Sequence, residues 1–577
     1  MNQASEAASP PARWLRRLAT GGFLLSLAAG MLVPVYSDEI GWRFQERAWV
    51  DGGLDVMFSD ICGPNTIARA PWFMMPVRMF SALANQALAD PLFVRVSGVA
   101  CALLWAALLW LLTVRLERDP ARRSLLQALS FGLLGIGVLP YLLVWSRPEQ
   151  PIILTTTLMI LLAFATTSAA DQRVLAWLKA SAIVLLAGIA ISYHLKGVLY
   201  APVALVCLAV CAKGRATLVP RLAGIAVLLA LSASAAHYWV GRFQCPADPI
   251  LAAKLGSENI AAVFAGGSTP IDLLLKFAEG AHPWNYIWLT IPDNIPMSDW
   301  LPPELFPPAT LPAIGLALTV LWIAVALVAM GALALYLLRN RINGLAEPRL
   351  LLALAILGCI TVWGASQINR NVYEAAHVLP LLVIFVLMCF TLPLDGANWR
   401  ERALPVLVKA AVPLALLSQA IVLGSTVVPL ARAAQTPGYL AAQPFSVSIA
   451  GYGGVRRDIA RAMALSGIPR DRRLNRLMID DLTYFAMQRS RLPLHRLGVI
   501  DIWNGSIEDP VRYLISRDSD GVVVGCHYLP ANMRQAAARS GPICALSRKG
   551  LARLAFALPK LGPEVVQREM PLTGSAR

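Results

Sequence analysis

Apolar residues in this chain come in long unbroken runs, not in alternation and not in stripes one helical face wide. The runs at 19–36, 93–113, 124–145, 151–170, 175–193, 197–212, 222–241, 311–338, 350–366, 375–394 and 406–430 are near or above the length that lets a helix cross a hydrocarbon core. They predict about eleven transmembrane helices. The polar segments between them differ by side. Those at 115–123 (RLERDPARR), 213–221 (KGRATLVPR), 339–349 (RNRINGLAEPR) and 395–402 (DGANWRER) are rich in Arg or Lys, as is the N-terminus with Arg13, Arg16 and Arg17. Only the turn at 171–173 is too short to show the bias. Positive charge marks the cytoplasmic side, so the N-terminus is expected inside. An odd number of crossings then puts everything after residue 431 outside.

The outer segments are 37–92, 146–150, 194–197, 242–310, 369–377 and the C-terminal region. In the first, Trp72, Phe73, Met74, Val77, Met79 and Phe80 alternate with Arg69 and Arg78, a pattern that suits a helix lying in the membrane interface. The loop 242–310 carries Trp284, Trp288 and Trp300 among prolines. From residue 436 the pattern changes: strands are predicted at 445–452, 476–480 and 521–526 and an amphipathic helix at 455–467. The expected fold is a polytopic α-helical membrane protein with a C-terminal extracytoplasmic α/β domain. The expected division is a membrane module, 1–435, with large outer loops 37–92 and 242–310, followed by a soluble domain, 436–577.

Composition sharpens this picture. The 577 residues are 57% hydrophobic and 15% charged, with a mean hydropathy of +0.60. A soluble domain is nearer one quarter charged. The net charge of +16 would suit nucleic acid, but the orienting loops account for most of it, and no nucleic-acid partner is expected. The first apolar run is long and is followed directly by Ser37-Asp38-Glu39, so it is read as a retained helix and not as a cleavable signal. Of nine cysteines, Cys101, Cys207, Cys211, Cys359 and Cys389 fall in spans and read as small buried apolar residues. Cys62, Cys245, Cys526 and Cys544 fall outside, where disulfides form. The pairs Cys62–Cys245 and Cys526–Cys544 are expected, although spacing alone does not fix connectivity.

The unusual polar residues gather at the outer ends of spans. Asp38 and Glu39 follow the first. Arg147 and Glu149 sit in the turn WSRPEQP, and His194 and Lys196 in SYHLKG. Arg370, Tyr373, Glu374 and His377 lead into the tenth span. For one such residue an interfacial anchor is sufficient explanation. Several on one side point to a polar cavity, because ionisable groups near hydrocarbon are costly. Two acids with Arg147, Lys196 and Arg370 combine a carboxylate base for an acceptor hydroxyl with cations for a departing phosphate. At the membrane–water boundary, that chemistry fits a donor with its phosphate at headgroup level and its tail in lipid, such as a polyprenyl-phosphate sugar.

The order of these features resembles the GT-C superfamily of integral-membrane glycosyltransferases. The acid pair Asp38-Glu39 stands early in the first outer loop, amphipathic helices follow, and short outer turns carry basic residues. The turn Ser146-Arg147-Pro148-Glu149-Gln150 is similar to the RPE turn of several members. His194-Leu195-Lys196-Gly197 and Asn369-Arg370-Asn371-Val372-Tyr373 also look like family turns. The resemblance covers about residues 1–430. It extends both to the protein mannosyl- and aminoarabinose-transferase group and to the cell-wall arabinosyltransferases.

The resemblance implies transfer of a sugar, a pentose such as arabinose or a hexose such as mannose, from a polyprenyl-phosphate donor to an acceptor hydroxyl, with inversion. It implies a bacterial inner membrane, with the C-terminal domain in the periplasm. Asp38 is the favoured base, because the family usually uses the first acid and aspartate has the shorter arm; Glu39 would orient sugar or acceptor. Arg147, Lys196 and Arg370 would hold the donor phosphate. Glu149, His194, Tyr373, Glu374 and His377 are candidate substrate contacts, with pairing to Arg147 the plain alternative for Glu149. The acceptor is a protein, a lipid or a glycan.

No cofactor is expected, and no spacing of acids is diagnostic of a divalent metal. In the tail, Ile449-Ala450-Gly451-Tyr452-Gly453-Gly454 departs from G-x-G-x-x-G and reads as a Gly-rich turn. Asp480 and Asp481 read as acceptor contacts or helix caps. The run Arg456, Arg457, Arg461, Arg470, Arg472, Arg473 and Arg476 suits anionic headgroups or a solvated helix face. The competing readings are a transporter or flippase of lipid-linked glycans, and a glycan polymerase or ligase. No internal repeat of the transporter kind is visible.

Overall fold

The computed structural model describes residues 10–36, 38–44, 70–165, 172–212, 214–241, 269, 271–272, 275, 310–366, 377–394, 398–435, 446–447, 449, 451–469, 477–488, 494–496, 511, 514–515 and 519–557. The chain opens with α1 (Pro10–Ala29), β1 (Val35–Tyr36) and a short helical stretch at 38–44. Next come α2 (Met75–Ala87), α3 (Pro91–Leu116), α4 (Pro120–Leu134) and α5 (Leu139–Leu143). The turn after α5 leads to α6 (Glu149–Phe164), α7 (Gln172–Tyr193), α8 (Leu195–Leu199), α9 (Ala201–Val210) and α10 (Leu218–Gly241). The last apolar helices are α11 (Thr310–Asn340), α12 (Pro348–Ser366), α13 (Val378–Phe390) and α14 (Asn398–Gln435).

Five described helices are long and apolar enough to cross a membrane, over Pro91–Leu116, Arg173–Tyr193, Arg215–Trp239, Gly315–Asn340 and Glu401–Gly424. The chain is a multipass membrane protein. The remaining predicted spans are shorter or more polar than expected, for local reasons. The first helix runs from Pro10 to Ala29, not to residue 36. At Gly30 the chain passes so close to Val144 that an added Cβ would lie 2.7 Å from its Cγ2. Pro34 and an extended Val35–Tyr36 follow. The predicted span 124–145 is broken between α4 and α5, where Gly137 has φ 60°, a left-handed value that suits glycine. Ser418 Oγ accepts the freed Gly137 N–H at 2.7 Å. The run 197–212 divides into α8 and α9.

The chain separates into two compact units. The first comprises residues 1–31, 53–80 and 97–426. Within it α13 is apolar on every side and buried on nearly all of them, as an internal helix must be. Helices that end inside protein leave carbonyls needing donors. Here basic side chains supply them. Arg122 donates to the Phe390 carbonyl at 2.5 Å and Arg349 to that of Thr391, at the end of α13. Lys179 donates to Ala165 at 2.5 Å and Cys211 at 3.0 Å, closing α6 and α9. At the solvent-exposed side of the α9 end, Arg221 donates to Ala209 at 2.7 Å. Such cations also sit favourably at the negative ends of the helix dipoles.

The second unit comprises 32–52, 81–96 and 427–577. Its described part adds β2 (Ser446–Val447), α15 (Tyr452–Ser466), β3 (Leu477–Ile479), α16 (Asp481–Met487), β4 (Leu494–Arg496) and β5 (Gly521–Gly525). It ends with α17 (Ala531–Ala536), β6 (Ala538–Ser540), β7 (Ile543–Ser547) and α18 (Arg548–Ala557). The sheet order is β4-β3-β5-β7-β6, parallel from β4 to β5 and antiparallel from β5 to β6. Both faces are buried. Leu477, Ile479, Val523, Ile543 and Ala545 point to one core with Ile459, Met463 and Phe485. Met478, Val522, Val524, Cys544 and Leu546 point to the other with Met533 and Leu551. This is the period-two alternation of a sheet covered on both sides. Val35, Ile40 and Val94 belong to the first of these cores, and β1 pairs antiparallel with β2, Val35 opposite Val447.

Cys526 and Cys544 are joined by a disulfide, with Cα atoms 4.8 Å apart. Cys62 and Cys245 lie outside the described residues. Asp480 caps α16: its Oδ1 accepts from Thr483 N at 2.9 Å and its Oδ2 from Gly525 N at 2.8 Å. Burial pushes its carboxyl up to about 6, and the neighbouring Asp481 charge adds to this against the hydrogen bonds. His527 moves the other way, down to about 4, chiefly through burial and then through Arg534.

Two tests follow from this core. Opening the disulfide with Cys526→Ser removes a constraint on a loop with a sequence separation of 18, worth about 3 kcal/mol in the chain-entropy view. A lower denaturant midpoint for the sheet's unfolding checks it. The second test is pH dependence. The Asp480 contribution is present below 3.8 and lost as pH rises through about 6. The His527 contribution is present above 6.5 and lost as pH falls through about 4. The two oppose each other, so His527→Gln should leave a stability that falls more steeply with rising pH between 4 and 6 than in the parent. Thermal unfolding at stepped pH measures it.

Candidate active site

The cation-bearing turns are set by close backbone approaches. At Gly98 of α3 an added Cβ would lie 1.8 Å from the Val144 carbonyl oxygen, so only glycine lets the chain pass there. Gln150 then ties the turn down, donating through Nε2 to the carbonyls of Gly98 at 2.9 Å and Leu143 at 2.6 Å. Lys196 is placed in the same way. An added Cβ on Gly197 would lie 2.1 Å from the Ala190 carbonyl oxygen, and His194 Nδ1 accepts the Lys196 N–H at 3.0 Å to start α8.

These turns bring Arg147, Glu149 and Lys196 together. Glu149, the first residue of α6, is buried; its Oε2 lies 3.1 Å from Arg147 Nε and its Oε1 2.5 Å from Lys196 Nζ. Two cations thus share one carboxylate. His194 is within electrostatic reach of Glu149. Lys196 Nζ lies 5.9 Å from the Trp363 ring centre, and Trp363 stands edge-on to His377 at 4.9 Å, with Tyr200 on the His377 ring at 5.5 Å. On the other side His194 lies 5.9 Å from Trp239, which packs on Tyr238 at 4.9 Å. Arg78 donates to the Tyr238 hydroxyl and stands 5.1 Å from its ring centre. The cluster combines cations with flat aromatic faces.

The acid pair belongs to the other unit. Glu39 and Arg95 are both 0% exposed. Arg95 holds Glu39 in a fork, with NH1 to Oε2 at 2.8 Å and NH2 to Oε1 at 2.6 Å. Its remaining reach goes to the carbonyls of Val33 at 2.6 Å and Pro34 at 2.5 Å. Glu39 Oε1 also accepts the Tyr36 N–H at 2.9 Å. The sequence analysis has Glu39 beside Asp38 in the catalytic pair, orienting sugar or acceptor. In the structure its carboxylate braces the chain between β1 and the helical stretch, because an acid this deep is stable only when paired. Asp38, one residue earlier, is half-buried at the start of that stretch.

Five of the predicted residues, Arg147, Glu149, Lys196, His194 and His377, therefore form one polar–aromatic cluster in the first unit. Asp38 and Glu39 fall in the second. Arg370, Tyr373 and Glu374 lie outside the described residues. Sequence reasoning missed Arg95, whose signal was a lone arginine near the start of an apolar run. It also missed Trp363 and Tyr200, which carry no signal among so many apolar neighbours. Among the described residues no group of three or more His, Cys, Asp or Glu side chains comes together that could hold a metal ion.

No family model and no curated protein matches the chain. Solved structures do. The chain is similar to ArnT from Cupriavidus metallidurans bound to undecaprenyl phosphate, at 13% identity over 94% of this chain and 98% of that one, with a TM-score of 0.41. It is also similar to the archaeal oligosaccharyltransferase AglB from Archaeoglobus fulgidus, in complex with an inhibitory peptide and a dolichol-phosphate, at 12% identity over 92% of this chain and 71% of that one, with a TM-score of 0.41.

The buried pair yields a direct test. Arg95→Met strands a buried carboxylate and should cost about 3–5 kcal/mol, whereas the double variant Glu39→Met/Arg95→Met should recover much of that loss. Arg95→Lys should not rescue, since an ammonium lacks the two-pronged fork. Unfolding midpoints in detergent compare the three.

Proposed function

We propose that the chain is a glycosyltransferase that moves a sugar from a polyprenyl-phosphate donor to an acceptor hydroxyl at the outer face of a bacterial inner membrane. The observation that carries this reading is the Arg147–Glu149–Lys196 cluster: two cations for one buried carboxylate, fixed at the head of an apolar helix. Cations held in place before the reaction stabilise charge as it develops on a leaving phosphate. A phosphate at this level suits a donor whose chain lies in lipid.

In this reading Asp38 takes the proton of the acceptor hydroxyl. The oxygen attacks the anomeric carbon from the face opposite the phosphate, the bond from that carbon to the phosphate oxygen breaks, and configuration inverts. The electron pair stays on the phosphate, which leaves as polyprenyl phosphate against Arg147, Lys196 and, by its sequence position, Arg370. Asp38 is the base and not Glu39, because the Glu39 carboxylate is held by Arg95; Glu39 and Arg95 are positioning residues. His194, His377, Tyr373 and Glu374 are assigned to sugar or phosphate contact, and Glu149 to holding the cations. The transferred sugar is a pentose such as arabinose or a hexose such as mannose, and the acceptor is a protein, lipid or glycan. Residues 436–577 are placed in the periplasm and the N-terminus in the cytoplasm.

Transfer from polyprenyl-phosphate arabinose and polyprenyl-phosphate mannose in proteoliposomes is the test. Asp38→Asn should lower turnover by about 10²–10⁴-fold, the usual worth of a general base, while donor binding persists. Lys196→Ala should raise the donor KM as well. Unchanged turnover in Asp38→Asn would remove the base assignment, and flipping of donor without transfer would favour a flippase.

A further inference from the structure

A second charged feature shares no residue with the proposed active site and plays no part in that chemistry. At the N-terminal end of α1 the Arg16 guanidinium stands 5.3 Å from the ring centre of Trp110 on α3. It donates to Ser124 Oγ at 3.4 Å and Gln127 Oε1 at 3.5 Å on α4. Its supports are all neutral. The charges acting on it are Arg17, Arg123 and Arg13, all of its own sign. The two nearby acids in sequence are engaged elsewhere. Glu117 pairs with Arg122 at 3.3 Å, and Asp119 accepts the N–H groups of Ala121 and Arg122 to cap α4. Among the described residues none of Arg13, Arg16, Arg17 and Arg123 is ion-paired.

Orientation by positive charge explains why arginines are on this side. It does not require four of them to converge without a counter-ion, since spread over separate loops they would orient the chain equally well. Convergence of like charges is unfavourable unless an anion answers it. The surface next to the cluster says which anion. Trp14 is 62% exposed under Arg17, whose guanidinium stands 5.6 Å from its ring centre, and Leu18 and Leu25 follow on the exposed side of α1 at 47% and 59%. A patch for acidic protein or nucleic acid would adjoin polar surface. This one adjoins the exposed apolar side of α1.

We propose that Arg13, Arg16, Arg17 and Arg123 form a binding site for the headgroup phosphate of an anionic glycerophospholipid in the leaflet on the N-terminal side, with its acyl chains along Leu18 and Leu25. Trp110, Ser124 and Gln127 aim Arg16; Arg13, Arg17 and Arg123 complete the charge. The proposal rests on the membrane fold and not on glycosyl transfer.

The test uses the purified, delipidated full chain in neutral detergent and needs no turnover. Phosphatidylglycerol and phosphatidylcholine are titrated, with bound lipid counted by native mass spectrometry. The parent should hold phosphatidylglycerol at least about tenfold more tightly, given the pull of several arginines on one anionic headgroup. The exposed-side triple variant Arg13→Gln/Arg17→Gln/Arg123→Gln should lose that preference while melting at an unchanged temperature in phosphatidylcholine. Should the triple variant fold poorly, raised salt applied to the parent replaces it, and the preference should fall with ionic strength. Equal binding of the two lipids by the parent would overturn the proposal. So would a salt-insensitive preference, or displacement of the lipid by inorganic phosphate or by an acidic peptide at matched concentration.

Discussion

The arrangement depends most on one buried ion pair. Glu39 and Arg95 have no contact with water, and each satisfies the other while Arg95 also gathers the carbonyls of Val33 and Pro34. Such a pair adds little net stability over an apolar replacement, yet it allows few alternatives: half of it cannot be kept. It therefore acts as a register pin. It fixes where the strand after α1 ends and where the helical stretch bearing Asp38 begins, and it anchors both to the start of α3. Val35, Ile40 and Val94 carry the same pin into the core of the α/β unit.

The first unit solves a different problem. Its short helices end within protein, where water cannot satisfy the last carbonyls. Lys179, Arg122 and Arg349 supply donors there. One class of residue thus does two jobs: it biases orientation in the membrane and it permits helices of 10 to 16 residues to stop. At the opposite ends of α6 and α8 the arrangement reverses. Glu149 sits at the N-terminus of α6 with Arg147 and Lys196 on its carboxylate, so there a side-chain acid meets the cations.

The sequence shows the membrane class directly, because apolar runs of this length have few other uses. It also shows most helix positions, and strands such as Gly521–Gly525 stand where the run GVVVGC predicts. Breaks were harder. Gly135 and Gly137 mark the division between α4 and α5, but glycine is common in membrane helices, and the fold there is settled by Ser418, 281 residues away. The Arg147–Glu149 pairing could be read from two residues in one turn. The approach of Lys196 to Glu149 could not, since it depends on Gly98 and Gly197 letting backbones close within van der Waals contact. The pairing of Glu39 was hidden for a similar reason. Nothing adjacent to it announces Arg95, 56 residues on, and a pair of neighbouring acids looks like two equivalent groups until one of them is found paired.

The short antiparallel pair of β1 with β2 has a consequence for how the molecule is made. The strand partner of Val35, Val447, is synthesised more than four hundred residues after it. The segment that carries Asp38 is therefore without its strand partner through most of translation, while the helices between enter the membrane. Contacts this distant along the chain form late, because loop closure must precede them. The acid corner takes its final shape only once the strand at 446–447 has been made and paired.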